Sequence, residues 1–225
     1  MKTCVIIPTY NESKVIGDLV KQIRRQNLEV VVVDDGSHDN TAQIAQNNGA
    51  TVLKNISNRG KGASLIRGFH YILDKDFDAV ITMDGDGQHL PEDIPYFMRL
   101  ARDSQGGVFI GNRMSRPKTM PWERILTNKF MSWLLSKAVK QKIPDTQCGF
   151  RLIKRQVLEK LNLNTHKYET ESELLIKTSR LGFKIESVPI KTIYRGEKSR
   201  INPVVDAWRF IRFIFRQLGN KSEGK

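Results

Sequence analysis

Short, wholly apolar segments alternate with amphipathic segments through the first half of this chain. The apolar segments do not alternate with polar residues, as the run of four valines before Asp34 illustrates. Strands of this kind are buried on both faces, which is typical of parallel sheets covered by helices. We therefore predict an α/β fold with a mostly parallel sheet flanked by helices. The predicted strands are Thr3–Ile7, Glu29–Val33, Thr51–Leu53, Ala79–Met83 and Val108–Ile110.

The segments between these strands have helical periodicity. Apolar residues recur at helical spacing in the predicted helices Ser13–Gln26 and Lys61–Asp74. A shorter helix is predicted from Thr41 to Asn48, ended by a glycine, and another begins near Pro91, a residue favoured in the first helical turn. The second half of the chain is less regular and looks added to the first.

Three polar clusters follow predicted strands at the point where each strand ends. They read PTYNE after the first strand, DDGSHDN after the second and DGDGQH after the fourth. In α/β sheets, ligands bind at the carboxyl ends of the strands. We therefore expect the three clusters to converge on one binding edge.

The cluster after the fourth strand carries two acids one residue apart, Asp84 and Asp86. In an extended segment these positions point the same way, so both carboxylates can face one hard cation. Mg²⁺ favours sites with one or two carboxylates completed by substrate phosphates. The alternative is a plain Asp-Gly turn. A calcium-binding loop is excluded because His89 and Pro95 stand where that motif needs Gly and Glu.

Asp34 and Asp35 end the second strand, where a carboxylate can accept hydrogen bonds from a ribose hydroxyl or a base N–H. The alternative is a helix N-cap or an Asx-turn. The segment NRGKGAS places Lys61 between two glycines, a pattern that can form an anion-binding nest. Neither a Walker loop nor the glycine fingerprint of dinucleotide-binding enzymes is present.

The composition indicates an anionic partner. The chain of 225 residues has 37 Lys and Arg against 24 Asp and Glu, a net charge of +13. Such a balance favours nucleic acid, a phosphorylated substrate or an acidic membrane surface. We expect neither a signal peptide nor a transmembrane helix, and the two cysteines agree with a reducing cytoplasm. Cys4, in an apolar strand, is predicted to be a buried, inert thiol.

Five segments together resemble glycosyltransferase family 2 of the GT-A type, and more narrowly its polyprenol-phosphate (dolichol-phosphate) mannose synthase branch. They read VIIPTYNE, VVVDDGSHDNT, NRGKGAS, MDGDGQH and DTQCGFRL. The resemblance implies a Rossmann-like GT-A fold, a nucleotide-diphosphate sugar donor such as GDP-mannose or a UDP-hexose, and Mg²⁺ or Mn²⁺. It also implies inverting transfer of a hexose, with mannose favoured, to polyprenyl phosphate.

The resemblance also implies roles for individual residues. Pro8, Tyr10 and Glu12 would border the nucleotide, Asp35 would bind base or ribose with Asp34 in support, and Asp84, Asp86 and Gln88 would hold the metal and diphosphate. Arg113, Arg124 and Asn128 match positions near the acceptor, although the family has serine where Asn128 stands. Arg195, Ser199 and Arg200 match a loop whose spacing is shifted by one residue here.

The nature of the acceptor decides whether a base is needed. A lipid phosphate is already anionic near neutral pH, so Arg113 and Arg124 need only position it. A sugar hydroxyl needs a general base, for which Glu171 and Glu173 are the candidates. The alternative for Glu173 is an ion pair with Lys177, its i+4 neighbour, and we favour that pairing.

Two amphipathic stretches, from Arg124 to Val139 and from Pro203 to Leu218, fit either a membrane interface or packing on the sheet. Residues 191–225 carry nine Lys or Arg against three Asp or Glu. We expect one glycosyltransferase domain with a nucleotide-sugar half (1–111), a smaller acceptor-side half (112–202) and a basic C-terminal helix with its tail (203–225).

The main hypothesis is therefore a peripheral enzyme on the cytoplasmic face of the cell membrane, anchored by its own surface or by a membrane-embedded partner protein. The nearest alternative is a glycosyltransferase acting on a sugar hydroxyl in cell-envelope polysaccharide. A basic nucleic-acid-binding module is a remote alternative, because the sequence has no recognised nucleic-acid motif.

Overall fold

The computed structural model describes residues 1–115, 117, 120–193 and 203–219, with side chains for all of these except 203–209 and 218. The strands are β1 (Thr3–Thr9), β2 (Glu29–Asp34), β3 (Thr51–Lys54), β4 (Ala79–Thr82), β5 (Val108–Asn112), β6 (Arg151–Lys154) and β7 (Ile185–Pro189). The helices are α1 (Ile16–Arg24), α2 (Thr41–Asn47), α3 (Lys61–Leu73), α4 (Ile94–Asp103), α5 (Trp122–Val139), α6 (Arg155–Leu158), α7 (Glu169–Arg180) and α8 (Pro203–Gly219).

All seven strands form one sheet in the order β3-β2-β1-β4-β6-β5-β7. The pairs β3–β2, β2–β1, β1–β4 and β5–β7 are parallel, whereas β6 runs antiparallel to both of its neighbours. The prediction of a mostly parallel sheet flanked by helices is therefore confirmed. β6 and β7 come from the less regular second half, so the sheet is continuous across the two predicted halves.

The core forms where the apolar strands meet apolar helix faces. Every residue of β1 is buried, as are the four valines of β2. Helix α1 buries Ile16, Leu19, Val20 and Ile23, which recur at helical spacing. Burying one such side chain fully is worth about 1.5–3 kcal/mol. This packing fixes the strands whose carboxyl ends carry the polar clusters.

Several predicted boundaries differ from the structure by one to three residues, and two of these differences bear on the site. Helix α1 begins at Ile16 rather than Ser13, because the amides of Val15 and Ile16 both donate to Glu12 O and close a turn before the helix. Strand β4 ends at Thr82, so neither acid belongs to it. Asp84 lies just before a turn, and Asp86 lies within that turn. The argument that both acids point the same way in an extended segment therefore does not apply.

Helix α8 packs part of its apolar face against the protein. Phe210, Phe213 and Ile214 are buried, while Arg212 and Phe215 are exposed. Helices α5 and α7 lie against α8, and the Arg180 guanidinium donates to Gln217 O. In the part of the chain with described structure, no helix has both the length and the apolar character needed to cross a bilayer.

Candidate active site

The predicted clusters meet at the carboxyl edge of the adjacent strands β2, β1 and β4. The amide of Asn11 donates to Ser37 Oγ at 2.9 Å, and its side-chain oxygen accepts from His38 N at 2.9 Å. The amide of Glu12 donates to Thr41 Oγ1 at 2.8 Å. These bonds tie the loop after β1 to the loop after β2, so the predicted convergence of these clusters is confirmed.

The third cluster reaches the same edge through Gly85. A Cβ on Gly85 would lie 2.7 Å from Thr9 Cγ2 and 3.6 Å from Glu12 Cγ, so only glycine lets the turn approach the end of β1 this closely. Among the residues predicted to border a nucleotide, Pro8 is buried within β1 and Glu12 is partly buried. Tyr10 is exposed, with its ring edge-on to His38.

The carboxylates of Asp34 and Asp35 are both buried, but they differ in their partners. Asp35 Oδ1 accepts from Asn55 Nδ2 at 2.7 Å and Arg59 N at 3.0 Å, and Oδ2 accepts from Gly60 N at 2.8 Å. Asp35 thus fixes the loop that leads into α3. Asp34 Oδ1 accepts from Ser37 N at 3.3 Å, the local turn that was the alternative for this pair.

Two buried polar atoms at this edge have no hydrogen-bond partner among the described residues. They are Asp34 Oδ2 and Thr9 Oγ1, which belong to cross-strand register partners at the ends of β2 and β1. Leaving a buried polar group unpaired costs about 1–3 kcal/mol. A ligand with hydroxyl or N–H groups would satisfy both atoms. Asp34, rather than Asp35, therefore has the unused acceptor oxygen.

The turn after β4 carries the predicted metal ligands Asp84, Asp86 and Gln88, all partly exposed. Gln88 N donates to Asp86 Oδ1 at 3.0 Å, which holds this carboxylate over the turn. In the described part of the chain, no three His, Cys, Asp or Glu residues cluster as a metal site. Two carboxylates and an amide oxygen still fit Mg²⁺ or Mn²⁺, because such ions take their remaining ligands from substrate phosphates and water.

Asp84 is bound to an internal cation. Lys61 Nζ lies 2.5 Å from Asp84 Oδ1 and 2.9 Å from Glu171 Oε2. Burial opposes ionisation of Asp84, but the charge of Lys61 and its hydrogen bond hold the pKa of this carboxyl below its usual range. Lys61 therefore bridges the turn after β4 and the first turn of α7.

The glycines around Lys61 let the start of α3 contact the segment before α7, and they do not form an open anion nest. Ala63 N donates to His166 O at 2.9 Å. A Cβ on Gly62 would lie 2.0 Å from Thr170 Oγ1 and 2.5 Å from Lys167 O. The amides of Arg59 and Gly60 donate to Asp35 and that of Ala63 to His166 O, so these amides are already engaged. Ligand binding by Lys61 itself stays a prediction.

Glu171, a candidate base, is held by two cations. Besides Lys61, Arg151 Nη2 lies 3.7 Å from Glu171 Oε1, and Arg151 Nη1 donates to Glu171 O at 2.7 Å. Glu173, the other candidate, pairs with Lys177 at 2.6 Å and also accepts from the amides of Asn164 and Thr165. The favoured pairing of Glu173 with Lys177 is confirmed.

His89 lies under the turn, with Nδ1 4.0 Å from Asp84 Oδ2 and Nε2 3.9 Å from Cys148 Sγ. Burial lowers the pKa of His89 to about 4, so the ring is neutral near pH 7. Burial also raises the pKa of the Cys4 and Cys148 thiols to about 12, as expected for inert buried cysteines.

Arg113, predicted near the acceptor, follows β5 directly. Its Nε and Nη2 donate to Asp145 Oδ2 and Oδ1 at 2.7 and 2.9 Å, and its amide donates to Oδ2 at 3.1 Å. Arg124 and Asn128 lie partly buried one turn apart on α5, where Asn128 Nδ2 contacts Met120 Sδ at 3.9 Å. Arg195, Ser199 and Arg200 lie outside the described residues.

Sequence reasoning missed Thr9, Asp145 and Arg151. Asp145 and Arg151 belong to DTQCGFRL, which supported the family resemblance without a role for either charge. Arg151 is buried and donates to Cys148 O and Thr146 O at 2.8 and 3.1 Å, so it organises this loop. Two opposite charges in an otherwise uncharged motif are the signal that could have identified them.

Comparison with known proteins agrees with this geometry. The family model of Glycosyl transferase family 2 matches residues 4–162. The chain belongs to this family. It is a glycosyltransferase, and the predicted GT-A fold and family resemblance are confirmed.

Two curated relatives and one solved structure illustrate the likeness. UDP-N-acetylglucosamine–dolichyl-phosphate N-acetylglucosaminyltransferase of Methanococcus voltae is 32% identical over 84% of this chain and 85% of its own. Polyprenol monophosphomannose synthase of Mycolicibacterium smegmatis is 30% identical over 84% and 76%. The glucosyl-3-phosphoglycerate synthase of Mycobacterium tuberculosis with Mn²⁺, UDP-glucose and phosphoglyceric acid has a TM-score of 0.76 at 19% identity, covering 99% of this chain and 82% of its own.

Proposed function

We propose that this glycosyltransferase moves a hexose, with mannose favoured, from a nucleoside-diphosphate sugar to polyprenyl phosphate, with inversion and with a divalent cation. The observation that carries the choice of acceptor is the engagement of Glu171 by Lys61 and Arg151. A carboxylate held by two cations is a poor general base, so this site suits an acceptor that is already an anion. The relatives that use dolichyl or polyprenol phosphate support the same acceptor class.

The donor would lie at the strand edge described above. Asp34 Oδ2 and Thr9 Oγ1 would receive the polar groups of the base or ribose, with Tyr10 and Glu12 beside them. Asp84, Asp86 and Gln88 would hold Mg²⁺ or Mn²⁺ at the diphosphate. The cation would neutralise the charge that develops on the leaving nucleoside diphosphate.

The transfer itself needs no proton movement. An oxygen of the acceptor phosphate forms a bond to the anomeric carbon while the bond from that carbon to the donor β-phosphate oxygen breaks. Arg113, fixed by Asp145, and Arg124 would orient the acceptor phosphate. Within the predicted division of the chain, these arginines belong to the acceptor-side half, 112–202. Arg195 and Arg200 are further candidates to contact the leaving diphosphate.

A lipid acceptor requires a membrane-facing surface, and the exposed apolar residues of helix α5 support one. Trp122, Leu126, Phe130 and Trp133 are exposed along one side of α5. Phe215, with Arg212 and Arg216, is exposed on the neighbouring α8. Aromatic side chains beside arginines suit an anionic bilayer interface. We place the enzyme peripherally on the cytoplasmic membrane face, bound through this surface or through a membrane-embedded partner protein.

The hydroxyl acceptor remains the second candidate for this family, but nothing at Glu171 or Glu173 favours it, because each is engaged by cations or amides. The basic charge that suggested a nucleic-acid module also suits the phosphate substrates and the acidic membrane surface proposed here.

A donor and acceptor screen tests the proposal. Purified protein with Mg²⁺ or Mn²⁺ is supplied with radiolabelled GDP-mannose, UDP-glucose or UDP-N-acetylglucosamine and undecaprenyl phosphate in detergent. We expect a labelled lipid from one donor, lost in Asp86→Asn and retained in Asp76→Asn, the same charge change at an exposed site. Donor hydrolysis without lipid product would move the acceptor to another class.

A further inference from the structure

Lys61 joins the turn after β4 to the first turn of α7 through its single ammonium group. Its Nζ contacts Asp84 at 2.5 Å and Glu171 at 2.9 Å. The side chains of Lys61, Asp84 and Glu171 are only 22%, 27% and 15% exposed, so water screens these charges incompletely.

The Asp84 carboxylate has little room to move away from Lys61. On one side lies Gly149, where a Cβ would come within 2.6 Å of Asp84 Oδ2. His89 Nδ1 lies 4.0 Å from the same oxygen. Lys61 Nζ, at 2.5 Å from Oδ1, is the nearer of these two basic side chains to the carboxylate.

The backbone around Lys61 is fixed as well. Gly60 has φ +94°, a conformation that other residues rarely adopt, and Gly62 and Ala63 pack directly on the segment 166–170. Since Lys61 begins α3, its side chain extends from a rigid point. The ammonium thus keeps its place between the two carboxylates.

We propose that Lys61 is a positioning residue that acts as an internal counter-cation and weakens divalent-metal binding at Asp84 until a nucleoside diphosphate is present. A divalent ion approaching Asp84 alone meets the positive charge of Lys61. An ion approaching together with a diphosphate brings compensating negative charge, so Lys61 then opposes it much less. Metal and nucleotide would therefore bind cooperatively. This inference rests on the proposed function only in taking the Asp84–Asp86 turn as the metal site.

Mn²⁺ binding measured by the loss of the free-ion EPR signal tests the inference without any turnover. The full chain is titrated alone and with UDP or GDP. For Lys61→Met we expect the affinity for Mn²⁺ without nucleotide to rise by about tenfold or more. A cation at ion-pair distance changes the proton affinity of a carboxylate by about one to three decades, and its removal should change the metal affinity in the same way. The gain in affinity caused by nucleotide should shrink correspondingly. Lys61→Arg keeps the charge and should behave as the wild type.

A double variant separates this effect from a general disturbance of the site. Lys61→Met with Glu171→Gln removes one cation and one carboxylate together, which also relieves the repulsion that threatens folding of the single variant. We expect its nucleotide-free Mn²⁺ affinity to fall between the wild type and Lys61→Met. Circular dichroism and the unfolding midpoint establish that each protein is folded.

The outcomes distinguish this inference from the proposed function. If Mn²⁺ binding in the wild type depends on nucleotide but Lys61→Met and the double variant bind the free ion no more tightly, the counter-cation role is wrong and the metal site stands. If no protein binds Mn²⁺ even with nucleotide, both the role of Lys61 and metal dependence are overturned. If the Mn²⁺ titrations give the expected result but the wild type makes no glycolipid, only the proposed acceptor is overturned.

Discussion

Arg113 holds the fully buried carboxylate of Asp145 through two parallel side-chain hydrogen bonds of 2.7 and 2.9 Å. A guanidinium in this bidentate geometry has little freedom to rotate. The pair lies between the end of β5 and the loop that leads into β6. Asp145 therefore sets the direction in which Arg113 presents its charge, although it need not touch substrate itself.

Asp145→Asn is expected to reduce both activity and stability. The amide cannot accept both hydrogen bonds, and Arg113 loses its compensating charge, so the free energy of unfolding should fall by about 3 kcal/mol. A displaced Arg113 should lower kcat/KM by about 100-fold. Denaturant unfolding and steady-state kinetics check the two effects. Glu159→Gln, which breaks the exposed pair with Arg155, is the control and should change stability by less than about 1 kcal/mol.

The strands and the binding edge were predictable because their signal is local. The continuous apolar runs of β1, β2 and β4 require burial on both faces, and the parallel connections then bring the following polar clusters to one edge. β6 was missed because it is a short apolar pair flanked by the charged residues Arg151 and Lys154. Its antiparallel pairing with β4 and β5 depends on tertiary structure, which the local sequence does not show.

The ion pairs within the site could not be predicted from the local sequence pattern. Lys61 and Asp84 are distant in sequence, and Glu171 more distant still, yet one ammonium joins them. Their meeting depends on Gly62, which lets the start of α3 touch the segment before α7. Spacing within a motif carries no information about such contacts. By contrast, the pair Glu173–Lys177 follows from helical i, i+4 spacing and was predictable.

Glu173→Gln should lower stability in a pH-dependent way. Burial raises the pKa of Glu173, but hydrogen bonds from Lys177 and Thr165 outweigh it and leave the pKa below the ordinary value of 4.5. A depressed carboxyl pKa stabilises the fold above pH 4.5, and this stabilisation disappears as the pH falls through the folded-state value. At pH 7 the variant should be less stable by about 2 kcal/mol.

Denaturant titrations from pH 3 to pH 7 check this expectation. The difference in unfolding free energy between wild type and Glu173→Gln should narrow steadily below about pH 4.5. A difference that stays constant across this range would show that the charge of Glu173 does not contribute. Glu123→Gln, the same change at an exposed position on α5, should leave the profile unchanged.

Gly62→Ala is expected to separate the start of α3 from the segment before α7. The added Cβ would lie 2.0 Å from Thr170 Oγ1 and 2.6 Å from His166 C, too close without movement of the backbone. Overpacking of this kind costs about 1–3 kcal/mol. Thermal unfolding should show the loss, and Gly219→Ala, where nothing lies within 4 Å, should not. An unchanged Gly62→Ala midpoint would refute the proposed close packing.

Replacing exposed apolar residues of α5 tests the membrane surface. Leu126 and Trp133 are 59% and 58% exposed, so Leu126→Ser with Trp133→Ser should leave folding intact. Each large apolar side chain contributes roughly 1–2 kcal/mol to interfacial binding, so the partition coefficient should fall by at least tenfold. Co-sedimentation with vesicles of phosphatidylglycerol and phosphatidylethanolamine measures this.

The matched control is Tyr96→Ser on α4, because Tyr96 is an aromatic residue with 57% exposure on a different helix. Its vesicle binding should equal that of the wild type. If both variants bind vesicles as tightly as the wild type, the α5 surface does not contact the bilayer. If both lose binding alike, association depends on total apolar surface rather than on this face. Only selective loss in the α5 variant supports a defined orientation, with the acceptor side of the site toward the lipid.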